Sequence, residues 1–87
     1  MIEDILKERQ KTHGDFGLQS FYAQNIKKYI KSEKYKLTVG QIEALEMIAH
    51  KIARILEGNP NYKDHWDDIA GYATLVSKEL ENDKNTI

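Results

Sequence analysis

Apolar residues recur along this chain with the helical period, and no alternating run of convincing length competes with it. Ile2, Ile5 and Leu6 form the apolar side of a short first helix over about residues 2–11. The segment Thr12-His13-Gly14-Asp15-Phe16-Gly17, with two glycines in four residues, reads as a loop. A second helix is expected over about 18–31, burying Leu18, Phe21, Tyr22, Ile26, Tyr29 and Ile30. Thr38-Val39-Gly40-Gln41 has capping-box spacing, so a third helix starts near residue 39 and runs to Glu57. Gly58 is placed to end it in the left-handed conformation. Asn59-Pro60-Asn61 then makes a turn, and Asn61 is expected to cap a fourth helix over about 62–82. A connection this short forces the third and fourth helices into an antiparallel hairpin. The predicted fold is all-α: a single helical domain over 1–82 containing four helices, with a frayed tail at 83–87.

The two long helices carry distinct faces. On the third, Ile42, Leu45, Ala49, Ile52 and Leu56 share one arc, widened by Ile48 and Ile55 beyond what one helical partner covers. Glu43, Glu46, His50, Arg54 and Glu57 fall opposite, with Lys51 beside them. On the fourth, Trp66, Ile69, Ala73, Val76 and Leu80 form the expected core stripe, edged by His65, Asp68 and Tyr72. Asp64 and Leu75 lie close to Asp68. Gly71 is costly in a helix interior and suggests that a neighbour comes close there. The surplus apolar surface predicts a homo-oligomer centred on these two helices, an inference that the thin core of an 87-residue domain strengthens.

Composition narrows the chemistry. With no cysteine, disulfides, thiolate metal sites and cysteine nucleophiles are excluded. A net charge of −1 argues against coating of long nucleic acid. Locally, Lys27–Lys36 holds five lysines against Glu33, either a solvated helix end or a device that steers an anionic ligand. No apolar run is long enough for a membrane span, and acidic Glu3 and Asp4 sit where a secretory signal carries basic residues, so the expected location is the cytoplasm.

All three histidines fall among other chemically capable groups. His13 precedes Gly14-Asp15-Phe16, His50 lies one turn from Glu46 and Arg54, and His65 sits between Asp64 and Trp66. A hydrogen-bonded structural role is the alternative for each of them. Arg54 and Lys51 suit phosphate groups. Phe16, Trp66, Tyr72 and the histidine rings suit stacking on a base. Asp15, Glu43, Glu46 and Asp68 can accept hydrogen bonds from sugar hydroxyls or base amino groups. No serine or cysteine triad is supported, and no catalytic residue is assigned.

Several of these segments resemble a small phage- and prophage-associated helical domain family of unknown function. They are His13-Gly14-Asp15-Phe16, the run from Glu43 to Leu56, Gly58-Asn59-Pro60, and Asp64-His65-Trp66-Asp67-Asp68-Ile69-Ala70-Gly71-Tyr72-Ala73. That resemblance implies a phage product acting in the cytoplasm of a bacterial host, and it supplies no activity. A weaker resemblance is to the all-α nucleoside triphosphate pyrophosphatases of the MazG and dimeric dUTPase type. Those enzymes hold magnesium with an E-x-x-E pair on one helix and an E-x-x-D pair on the next. Here Glu43-x-x-Glu46 is followed by Asp64-x-x-Asp67, with aspartate in the third place, and it is Asp68 that shares a helix face with Asp64. Glu43, Glu46, Asp64 and Asp68 are therefore the metal candidates, and magnesium enters only under this enzymatic alternative. The leading expectation is a non-enzymatic, cofactor-free homo-oligomer that binds a nucleotide-like ligand between helices or subunits. Such a protein could sequester a nucleotide signal of bacterial immunity. A pyrophosphohydrolase and a module that docks on another protein are the alternatives.

Overall fold

A computed structural model describes residues 1–86 of the backbone and the side chains through Asn82. The tail expected at 83–87 therefore lies outside the described side chains. Among the described residues the secondary structure is helical throughout. Helix α1 spans Ile2–His13, α2 spans Phe16–Ser32, α3 spans Val39–Glu57 and α4 spans Lys63–Thr86, with a 3-10 turn at Lys34–Lys36 between α2 and α3.

Local chemistry explains these boundaries. The loop expected over 12–17 shrinks to Gly14-Asp15, because the Asp15 carboxylate accepts the Leu18 N–H at 3.0 Å and starts α2 two residues early. At the head of α3 the capping box forms in full. Thr38 Oγ1 accepts the Gln41 N–H at 3.0 Å, and Gln41 Oε1 accepts the Thr38 N–H at 3.0 Å. The turn before α4 is organised by Asn59 rather than by Asn61, since Asn59 Oδ1 accepts the Asn61 N–H at 2.9 Å. The helix consequently begins at Lys63, one residue later than expected.

Gly58 ends α3 with φ −100°, not in the left-handed conformation. The positive φ belongs to Gly14, at 81°. Both glycines mark one crossing, where the end of α1 lies against the end of α3. A Cβ on Gly14 would meet the Glu57 backbone carbonyl carbon at 2.6 Å, and one on Gly58 would collide with the Thr12 carbonyl oxygen.

Helix α3 is the centre of the molecule, packing against α2 and against α4. Gln19 bonds Arg54 and Lys27 bonds His50, so α2 and α3 run antiparallel. Lys51 meets Asp68, and Gly40 lies beside Glu79, so α4 folds back along α3 as the hairpin requires. The buried apolar residues are small: Ala23 and Ile30 on α2, and Ala44, Ala49 and Ala53 on α3. Alanines let the helices approach closely, and the larger apolar residues are turned outward as a result.

The stripes expected to form the core thus stay partly open in this chain. Leu45 is 39% exposed, Leu56 62%, Trp66 53% and Leu80 47%. Leu18, Phe21 and Tyr29, expected on the buried side of the second helix, are exposed as well. With α2 and α4 on opposite flanks of α3, the three helices form a layer, and α1 packs chiefly on α2 and α3 while its last turn also reaches His65 of α4. Gly71 also departs from expectation, since a Cβ there would find no atom within 4 Å. No described helix is long and apolar enough to cross a membrane.

Candidate functional site

The crossing of α1 and α3 builds the most chemically loaded region. The Thr12 carbonyl, at the last turn of α1, accepts the Asn59 N–H at 3.0 Å and the His65 Nε2–H at 2.9 Å. One acceptor therefore ties α1 both to the α3–α4 turn and to α4. His65 is 1% exposed and is held edge-on between two rings, its centroid 5.0 Å from that of His13 and 4.9 Å from that of Tyr62. It is a buried support beneath the site and does not reach a ligand.

His13 lies above it, partly exposed. Thr12 Oγ1 is 3.1 Å from the Arg9 carbonyl and 2.6 Å from His13 Nδ1. A carbonyl can only accept, so the hydroxyl proton goes to Arg9 and His13 Nδ1 donates to Thr12. A neutral His13 then carries its lone pair on Nε2. Neutrality follows from the surroundings: burial first, then the electrostatic influence of Arg54 and of the other basic side chains around it, hold the His13 pKa down to about 4.

Around His13 opens a cleft of about 400 Å3 between α1, the head of α2 and α3. Its polar lining comes from Arg9, Gln10, Asp15, Gln19 and Arg54, and its apolar lining from Leu6 and Phe16. Phe16 is 78% exposed, an aromatic ring standing at the rim. Arg54 Nε donates to Gln19 Oε1 at 3.3 Å, a neutral partner. Among the described residues, neither Arg9 nor Arg54 makes an ion pair. The Asp15 carboxylate is engaged in capping α2. A second opening on the other side of His13 is lined by Glu8, Arg9, Thr12, Arg54 and Tyr62.

Of the residues read from sequence, the cleft gathers His13, Asp15, Phe16 and Arg54. Lys51 and Asp68 are nearby but satisfy each other across α3 and α4 at 2.8 Å, and Lys51 holds the Asp68 carboxyl below its usual pKa. His50 is turned to α2, where Lys27 Nζ donates to its Nε2 at 2.9 Å. That bond requires a neutral imidazole, consistent with a pKa lowered by burial and then by Lys27 and Arg54. Glu43 and Glu46 stand at least two turns along α3 from Arg54, outside the cleft. Trp66 Nε1 donates to the Pro60 carbonyl at 2.8 Å, and Trp66 and Tyr72 line neither opening.

The four carboxylates named as metal candidates are not assembled. Asp68 is paired with Lys51, Asp64 raises the Tyr62 pKa through its charge and a hydrogen bond, and Glu46 acts on His50. Among the described residues, no three His, Asp or Glu side chains converge as a metal site.

Sequence reasoning missed Arg9, Gln19 and Tyr62. Arg9 had a signal, because it precedes His13 by four residues and so shares its helix face. Gln19 and Tyr62 had none, since their roles depend on which helices cross.

A family described as a domain of unknown function, DUF6378, matches residues 2–80. The chain belongs to the DUF6378 family. The match spans the crossing, the cleft and most of α4, and it brings neither a phage association nor a likeness to the pyrophosphatases. No curated protein and no solved structure matches the DUF6378 chain.

Proposed function

We propose that this DUF6378 protein is a cytoplasmic, homo-oligomeric binding protein for a small anionic, nucleotide-like ligand, taken up in the cleft around His13. The observation that carries this reading is the pair Arg9 and Arg54. Two guanidinium groups from different helices face one cleft, with no ion-pair partner among the described residues, beside a histidine kept neutral by burial and then by the neighbouring positive charge. Such a site favours phosphate, which arginine grips with a planar fork. The exposed Phe16 ring offers a face for a base, and Gln10 and Gln19 offer amides for hydrogen bonds. A volume of about 400 Å3 is within the usual range for small-molecule sites. The phage resemblance adds a biological role, sequestration of a bacterial immune nucleotide, in which the ligand is held and not broken.

The test is calorimetry with inorganic phosphate, linear nucleotides and cyclic dinucleotides, in the presence and absence of EDTA. Binding is expected to survive EDTA, to weaken with salt, and to fall about tenfold to a hundredfold in Arg54→Ala, the loss of one charged hydrogen bond. The bound nucleotide should be recovered unchanged by chromatography. Absence of binding across the whole panel overturns the reading. Release of pyrophosphate that requires magnesium transfers the protein to the hydrolase class.

A further inference from the structure

An unexplained feature is the face of α3 and α4 turned away from the cleft. Leu45 lies half a turn around α3 from Arg54, and Leu56 stands with it, so this ridge points away from α1. Beside it, an apolar groove of about 330 Å3 runs between α3 and α4, with Leu45 and Ile48 on one wall and Ala73 and Val76 on the other. On α4, steps of three and four from Trp66 to Leu80 pass Ile69, Ala73 and Val76, and on α3 steps of four and three from Leu45 to Leu56 pass Ala49 and Ile52, so neither ridge carries an ionisable side chain. In a chain with 31% charged residues these are uncharged seams, in which Ala49 is already buried within the chain. The spacing is that of a helix-packing seam.

We infer that this face is covered by a second copy of the chain, laid layer on layer to form a two-fold symmetric dimer. This concerns the assembly within the proposed function and is independent of the ligand. The area bears on the occupant. The chain exposes 6624 Å2. A folded monomer of this mass exposes roughly 5,300 Å2, so about 1,300 Å2 is in excess. The radius of gyration, 15.3 Å, also exceeds the ~12 Å of a globular chain of this length. A standard interface takes about 800 Å2 from each partner, and an obligate homodimer takes more than about 1,000 Å2. Taken over the whole chain, exposed α1 included, the excess is of the order that each partner of a permanent dimer buries.

Stability points the same way. Among the described residues the fully buried apolar side chains are four alanines and one isoleucine, with the larger ones only half-buried or exposed, a thin core for a domain with a single covered face. A layer that cannot fold alone needs its cover from synthesis onward, and the partner always present is the chain itself. The dimer restores Leu45, Leu56, Trp66 and Leu80 to the interior, as their helical periodicity demands.

Sedimentation and light scattering at micromolar concentration should give twice the chain mass, with a Tm that rises with protein concentration. Leu45→Glu should weaken self-association by at least about 30-fold, as loss of a central anchor does, whereas Ile5→Glu on exposed α1 should leave the mass unchanged. Leu45→Met should keep the dimer. A monomeric wild type overturns the inference without needing any variant to fold, and a dimer indifferent to Leu45→Glu overturns the choice of face. Calorimetry on the same samples separates the two proposals, since a dimer without nucleotide binding removes only the ligand, and binding by a monomer removes only the dimer.

Discussion

Placing one methyl group at the helix crossing tests the architecture on which the cleft depends. In Gly58→Ala the new Cβ collides with the Thr12 carbonyl oxygen and comes within 2.6 Å of the His13 backbone carbon and 2.7 Å of the Gly14 nitrogen. All three are backbone atoms, so the crossing must open. Opening separates Thr12 from Asn59 and His65, two hydrogen bonds worth about 1 kcal/mol each in net terms. It also leaves the buried His65 N–H without its acceptor, a further cost of about 1–3 kcal/mol if water does not enter. The sum is about 3–5 kcal/mol, which for a domain of this size lowers Tm by well over 10 °C, at about 4–8 °C per kcal/mol. Gly58 has a negative φ, so the substitution avoids the left-handed region that Gly14 occupies. Gly14→Ala carries the clash together with a backbone region open essentially only to glycine, φ 81° and ψ −172°, and should cost about 1–3 kcal/mol more. The assay is urea unfolding followed by circular dichroism at one fixed protein concentration. A Gly58→Ala midpoint within about 0.5 kcal/mol of wild type would refute the crossing, since that is the usual size of a neutral surface change.

Two further outcomes follow from the same geometry. His13 should titrate near pH 4 by NMR, and Arg54→Ala should raise that value by removing a neighbouring positive charge; titration near 6.5 in the wild type would contradict the placement. Because the folded pKa lies below the unfolded one, the unfolded chain binds more protons between them, so this contribution to stability is complete above about pH 6.5 and is lost as pH falls toward 4. Gly71→Ala should stabilise the protein by about 0.5–1 kcal/mol, since the added Cβ meets nothing and gains helix propensity; destabilisation would mean that this side of α4 is covered in solution.

What was legible in the sequence is local, and what was not is tertiary. Period and capping placed α3 from Val39 to Glu57, because Thr38 and Gln41 satisfy each other within one turn. Gly14 and Gly58 stood out as punctuation, but no rule of single helices says that they meet. The requirement appears only when α1 and α3 cross and leave no room for a side chain. His65 shows the same boundary. Its neighbours Asp64 and Trp66 made it look like a ligand-facing group, while its actual partner, Thr12, lies 53 residues away.

The stripes Leu45–Leu56 and Trp66–Leu80 are a different kind of departure. Periodicity reports that a face is buried, and it cannot report what buries it. In the single chain, alanine contacts bring α2 and α4 to the flanks of α3, and the large residues remain on a free face. The same layer has opposite needs on its two sides. One side, around Arg9 and Arg54, makes no ion pair among the described residues, and the cover proposed for it is an anion. The other, around Leu45 and Leu80, carries no charge along its seam, and the cover proposed for it is apolar. Electrostatics weakened by salt governs the first, and burial insensitive to salt governs the second. Raising ionic strength should therefore release the ligand while leaving the dimer intact, and a protein whose mass and ligand occupancy fell together would show that one surface serves both.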